Sequence, residues 1–225
     1  MIDFEGSQFE REIILWGVRW YVAYPISYRQ LEEMMGERGV SGDHATLNRW
    51  VIRYAPDFEQ AFRHRQCLVG RSWRLDETYV KIKGKWAYLY RAVDKEGHTM
   101  DFLLTPTRDR DAAEAFLRKA IRNQGLPEKI TIDQSGANTA AIKQYNRTHK
   151  TGIALRQCKY LNNIVEQDHR AVKRITRPTL GFKSFWAARC TTAGMEVMHA
   201  LRKGQMVTPE NGLQTPAEQF YALAA

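Results

Sequence analysis

Apolar positions recur at helical spacing over the first 56 residues and switch to alternation from Trp73. Phe9, Ile13, Gly17, Trp20 and Tyr24 form one stripe, with Ile14, Val18 and Tyr21 beside it, which predicts a first helix with a packed face. Pro25 closes that helix. Ser27 is the expected N-cap of a second helix, Tyr28-Arg-Gln-Leu-Glu-Glu-Met-Met, which Gly36 and Gly39 break. Asp43 is the expected N-cap of a third, with Leu47, Trp50, Val51 and Tyr54 as its apolar face. Pro56 is expected to end it, leaving 57–71 as a helical, charged connector.

Alternation then predicts three successive strands at 73–82, 86–93 and 99–105, turned at Gly84 and at Asp94-Lys-Glu-Gly97. A helix follows from Asp109, its acidic start and basic end matching the helix dipole, and Gly125 and Pro127 stop it. A fourth strand at 129–133, a helix at 137–149, a short strand at 153–157 and helices at 162–176 and 184–203 complete the pattern. The order βββαβαβα predicts an α/β, ribonuclease-H-like fold, a mixed sheet flanked by helices, behind an all-α helix-turn-helix head. The expected domains are 1–56, a helical DNA-binding head; 57–71, a connector; and 72–225, the catalytic body.

The head earns its DNA-binding reading from geometry. Two helices joined by a glycine-containing turn, the second offering His44, Thr46, Asn48, Arg49 and Arg53 to its outer faces, describe a helix-turn-helix. A plain helical bundle is the alternative, and charge favours it, because residues 1–65 carry a net −2. Residues 66–150 carry +6 and 151–225 carry +5, so a polyanionic partner is expected chiefly on the body. A basic surface kept for solubility is the competing account.

Three carboxylates carry the candidate chemistry. Asp76 lies in the alternating run Trp73-Arg-Leu-Asp-Glu-Thr-Tyr-Val-Lys-Ile82, Asp133 ends the apolar run Lys129-Ile-Thr-Ile-Asp133, and Glu166 lies on a helix. With Glu166 set at zero, a turn of about 100° per residue puts Arg170 at about 40° and Lys173 at about 340°. Val165, Val172 and Ile175 fall on the opposite arc, so the helix shows a carboxylate and a basic stripe on one side and packs with the other. Asp168 falls inside that apolar arc, which calls for a hidden partner. Singly, Asp76 reads as a strand-edge charge, Asp133 as a helix N-cap and Glu166 as the partner of Arg170 in a weak surface pair. Together they occupy two strand positions and one helix position that can converge on two divalent ions, Mg²⁺ or Mn²⁺, for phosphoryl transfer on DNA.

Other chemistries lack support. Such metal-assisted phosphoryl transfer needs no Ser-His or Cys-His pairing, and no phosphate-binding glycine loop is present, so no nucleotide cofactor is expected. Cys67, Cys158 and Cys190 have neither metal-ligand nor redox spacing. The acidic start, Met1-Ile-Asp-Phe-Glu-Gly, is unlike a signal peptide, and no apolar run has the roughly 18 residues a membrane span needs. A cytoplasmic, nucleoid-associated protein with reduced thiols and no membrane partner is expected.

Longer strings then carry a family resemblance. Asp-Glu-Thr-Tyr-Val-Lys at 76–81, Lys-Trp-Ala-Tyr-Leu-Tyr-Arg-Ala-Val-Asp at 85–94, Asn-Asn-Ile-Val-Glu-Gln-Asp-His-Arg at 162–170 and Leu-Gly-Phe-Lys-Ser at 180–184 resemble bacterial insertion-sequence transposases of family six. So do Gly-Met-Glu-Val-Met-His-Ala-Leu-Arg-Lys-Gly-Gln at 194–205 and, in the head, Ile-Leu-Trp-Gly-Val-Arg-Trp-Tyr at 14–21. The resemblance implies a DDE triad at Asp76, Asp133 and Glu166, with Lys173, seven residues after the glutamate, contacting DNA near the cleavage point. It implies nicking at terminal inverted repeats and strand transfer into target DNA, commonly replicative with cointegrate formation, by a homo-oligomer holding paired ends. A non-catalytic DNA-binding regulator or dead copy, and a nuclease or resolvase of the same fold, are the alternatives.

Overall fold

The computed structural model describes residues 2–179, 181–208 and 215–225. The elements run α1 (Arg11–Ala23), α2 (Tyr28–Gly36), α3 (His44–Arg65), β1 (Ser72–Ile82), β2 (Lys85–Val93), β3 (Thr99–Thr105), α4 (Arg110–Gln124), β4 (Lys129–Ile132), α5 (Gly136–His149), β5 (Ala154–Gln157), α6 (Asn163–Thr176), α7 (Phe185–Arg202) and α8 (Pro216–Ala222). The chain divides into two compact units, Met1–Cys67 with Ala171–Ala225, and Leu68–Arg170, so the division falls inside α6.

In the first unit, local signals set the helix starts. The Ser27 hydroxyl accepts from the Gln30 backbone N–H and the Gln30 side chain returns a bond to the Ser27 N–H, a reciprocal capping box. Asp43 caps α3 through the Thr46 N–H at 2.6 Å. The buried side of α1 is Ile14, Leu15, Val18, Tyr21 and Val22, rotated from the predicted stripe: Trp20 is half-buried and Tyr24 exposed. Pro56 does not end α3, which runs 22 residues straight through it. An internal proline costs about 3 kcal/mol, and burial of Tyr54, Ala55, Phe58 and Phe62 on either side of Pro56 offsets it. Phe58 stacks on Phe220 of α8 with ring centroids 4.2 Å apart.

Gly194 shows why α7 belongs to this unit. A Cβ there would sit 2.7 Å from Val22 Cγ1 and 3.1 Å from Ala55 Cβ, so the α7 backbone touches both α1 and α3 where only glycine fits. The compact units therefore do not follow the sequence boundaries at 56 and 72, because α7 and α8 pack with the head helices. The α8 helix, opened by a Thr215–Glu218 capping box, was not anticipated from the pattern.

The second unit is a five-stranded mixed sheet in the order β3-β2-β1-β4-β5, with β1, β2 and β3 antiparallel in sequence and β4 and β5 parallel to β1. That is the ribonuclease-H-like arrangement. Trp73, Leu75, Tyr90, Ile130 and Ile132 point to one sheet face and pack with Phe116 and Leu117 of α4 and Ile142 of α5. The strand bounds match the alternation to within a residue, except that β4 stops at Ile132, so Asp133 lies just beyond it. Among the described residues, no helix is long and apolar enough to cross a membrane. All three cysteines are free thiols.

Candidate active site

Asp76 sits in mid-β1 on the sheet face opposite the α4–α5 core, its side chain 16% exposed. Across the antiparallel ladder its partner is Arg91 of β2. On the other side β1 pairs with β4, the last matched residues being Arg74 and Thr131. β4 ends at Ile132 and Asp133 follows directly, two residues after Thr131, as Asp76 lies two residues after Arg74. Asp133 is not the N-cap of α5: Ser135 is, through the Asn138 N–H, while Asp133 Oδ1 accepts from the Ser135 N–H at 2.8 Å.

Three contacts pin the start of α6 and the turn before it to this face. Asn162 Nδ2 donates to the Leu75 carbonyl at 3.1 Å. His169 Nε2 lies 3.2 Å from Asp76 Oδ2, with the ring 5% exposed. Asp168 Oδ2 meets the Arg91 guanidinium at 2.7 Å, with the arginine side chain fully buried. Glu166 is exposed one turn before His169, and side chains at that spacing stand about 5–6 Å apart at Cβ. Asp76, His169 and the start of α6 are thus held on one face of the second unit, with Glu166 one turn before His169. Arg170 is exposed on the same helix, and Lys173 is exposed two turns beyond Glu166, while Val165, Val172 and Ile175 are buried as the helical arc requires.

On the other face of β1, Glu77 is almost fully buried between Arg108, which ion-pairs with it, and Asn138 Nδ2 at 3.0 Å. Burial pushes the Glu77 carboxyl above its usual range, more than the Asn138 hydrogen bond and Arg108 pull it down. Asp133 also lies within electrostatic reach of Arg108.

The head residues are placed as follows. The His44 ring and backbone meet Glu32 at 3.0 and 3.2 Å, Arg49 donates to the Thr46 hydroxyl at 2.7 Å, and the Arg53 guanidinium lies 5.1 Å from the Tyr54 ring centroid. Arg49 and Arg53 are exposed. Asn48 is half-buried on α3, one residue after the buried Leu47.

Sequence reasoning missed His169, Arg91 and Asn162. Two signals existed: a cation at Arg91 inside the apolar run of β2, and Asp168 inside the apolar arc of α6. Opposite charges without accounts on two buried faces imply each other.

A family model described as a DDE domain matches residues 70–205. The chain is 41% identical over 202 residues to the transposase for insertion sequence-like element IS431mec of Staphylococcus aureus (strain Mu50), covering 89% of this chain and 88% of that one. The transposase for insertion sequence element IS257 in transposon Tn4003, from the same species, matches to the same extent.

The chain belongs to the DDE transposases of insertion-sequence family six.

It is thus a polynucleotidyl-transferase enzyme by family. Of solved structures, the HTLV-2 integrase catalytic core domain in complex with magnesium is similar at 15% identity and a TM-score of 0.46, over 67% of this chain and 97% of that one. A likeness so distant adds nothing to the fold read from the strand order.

The transposase's donor set can be tested against a divalent cation. Among the described residues, no three His, Cys, Asp or Glu side chains form a ready-made metal cluster. Mg²⁺ does not need one, since it is typically held by one or two carboxylates together with water and substrate phosphates. Asp76 and Asp133, hard oxygen donors each two residues past the last β1–β4 pair, fit that demand.

Proposed function

We propose that this transposase cuts and joins DNA at its element's ends with Asp76, Asp133 and Glu166 as the catalytic carboxylates. The reading is supported by the β1–β4 pairing, which ends two residues before both Asp76 and Asp133, and by the His169 contact that ties α6 to Asp76. Asp76 and Asp133 would hold the divalent cations, and Glu166 would complete the set from α6. When bound, such cations activate the attacking water or 3′-hydroxyl and stabilise the leaving oxygen.

The chain's own groups do the rest. His169 Nε2–H, donated to Asp76, fixes that carboxylate's rotamer and leaves its other oxygen for a cation. The buried Arg91–Asp168 pair sets the rotation of α6, and so the direction in which Glu166 projects. Arg170 and Lys173, cations on the Glu166 side of the helix, suit phosphates flanking the cut. His44, Thr46, Asn48, Arg49 and Arg53 at the start of α3 suit a recognition helix at the terminal inverted repeats. Two chains or more would bring paired ends together, and target DNA would take the same basic body, which carries the surplus positive charge.

Glu166→Gln tests the assignment, because it removes a charge at an exposed position without disturbing packing. Cleavage of labelled end DNA in Mg²⁺ is expected to vanish while end binding stays within about twofold. Equal loss of both would remove Glu166 from the metal site.

A further inference from the structure

The β1–β2 hairpin extends an aromatic and basic ribbon that the cutting chemistry does not use. Its turn is two residues, Lys83 and Gly84, both with positive φ, 48° and 77°. Such a turn is ordinarily filled by Asn or Gly, so a lysine at the tip is held there against backbone preference. Tyr79 and Trp86 are 50% and 59% exposed, large for residues of their size in mid-strand. The ladder pairs Tyr79 with Tyr88 and Lys81 with Trp86, which puts all four side chains on one face. Ring centroids lie 6.0 Å apart for Tyr79–Trp86 and 5.5 Å for Tyr79–Tyr88, and Lys81 Nζ is 5.8 Å from the Trp86 centroid. Lys81, Lys83 and Lys85 are all exposed, and residues 78–91 contain no acidic side chain.

Cross-strand aromatic pairs stabilise hairpins on their own account. That explains one side of each ring and leaves the outer sides wet. Flat rings with free faces beside Lys81 and the turn residue Lys83 match the chemistry of an unpaired nucleotide: a base that stacks and a phosphate that takes a cation.

We propose that the β1–β2 hairpin is a single-strand binding site, in which Trp86 and Tyr79 stack on unpaired bases while Lys81 and the turn residue Lys83 contact their phosphates. The proposal deepens the DNA-cutting assignment and rests on it for its biological setting, a DNA end that loses base pairing as its strand is cut. The site lies on the sheet face opposite Asp76, so it engages a stretch of strand other than the one being cut.

The test uses the full chain and a fluorescein-labelled oligothymidine, with binding read by anisotropy beside a blunt duplex of equal length. Trp86→Ala is expected to weaken single-strand binding about tenfold, with a smaller effect on the duplex, and Trp86→Phe, which keeps a ring, to restore most of it. Replacing Lys81 and Lys83 together with alanine is expected to reduce the slope of log affinity against log salt by about 1.4. Unchanged single-strand affinity in Trp86→Ala, an altered oligomeric state without an affinity change, or no single-strand binding by the parent would each overturn the proposal. End cleavage by the parent is measured in parallel. Cleavage with no Trp86 effect sinks the hairpin alone, whereas Trp86-dependent binding without cleavage sinks the cutting assignment alone.

Discussion

Arg91 and Asp168, 77 residues apart in sequence, meet at 2.7 Å with side chains 0% and 8% exposed. Each sits close in the fold to a proposed catalytic carboxylate: Arg91 is the ladder partner of Asp76, and Asp168 follows Glu166 by two residues on α6. The pair is therefore both a packing element and the means by which α6 is held in rotation.

Removing one member leaves the other charge buried. Arg91→Met or Asp168→Asn is expected to destabilise the fold by about 3–5 kcal/mol, and the double variant by less than the sum. Urea denaturation of the three variants measures this. Single variants as stable as the parent would mean that water reaches the pair.

His169 is predicted to matter for rate rather than for DNA affinity. His169→Ala frees the Asp76 carboxylate from its 3.2 Å contact, and losses of about 10- to 100-fold are usual when such a supporting group goes. End cleavage should slow by that order and need more Mg²⁺ for half-maximal rate, with end binding unchanged. A normal rate at the parent's Mg²⁺ requirement would reduce the contact to packing.

Asp94 gives the fold a specific acid sensitivity. Burial pushes its carboxyl up, but the backbone N–H groups of Gly70 and His98 and the His98 side chain more than offset this, and the result lies below the ordinary value. A depressed folded value means the stabilisation is full above the unfolded pKa, about 3.9, and disappears as pH falls through the folded one. Asp94→Asn should cost about 1–3 kcal/mol near neutrality, and the gap to the parent should close on acidification below the unfolded value. A gap independent of pH would assign the loss to shape, not charge.

Much of this was legible because it is local. The Ser27 and Asp43 caps, the strand alternation and the Glu166–Arg170–Lys173 stripe depend on spacings of two to seven residues. The order of elements then limited the sheet to few topologies. Pro56 was misread because its penalty is local while the aromatic burial that overrides it comes from α7 and α8, far along the chain. Asp168 could be flagged as needing a partner but not paired, since nothing in its neighbourhood names Arg91.

The most direct measurement is strand transfer by the purified chain on labelled DNA carrying its element's ends, with Mg²⁺ or Mn²⁺, beside Asp133→Ala. The account predicts metal-dependent joined products that disappear in the variant while end binding persists. Joined products from Asp133→Ala at the parent's rate would contradict it, as would binding by the parent without any cleavage or joining.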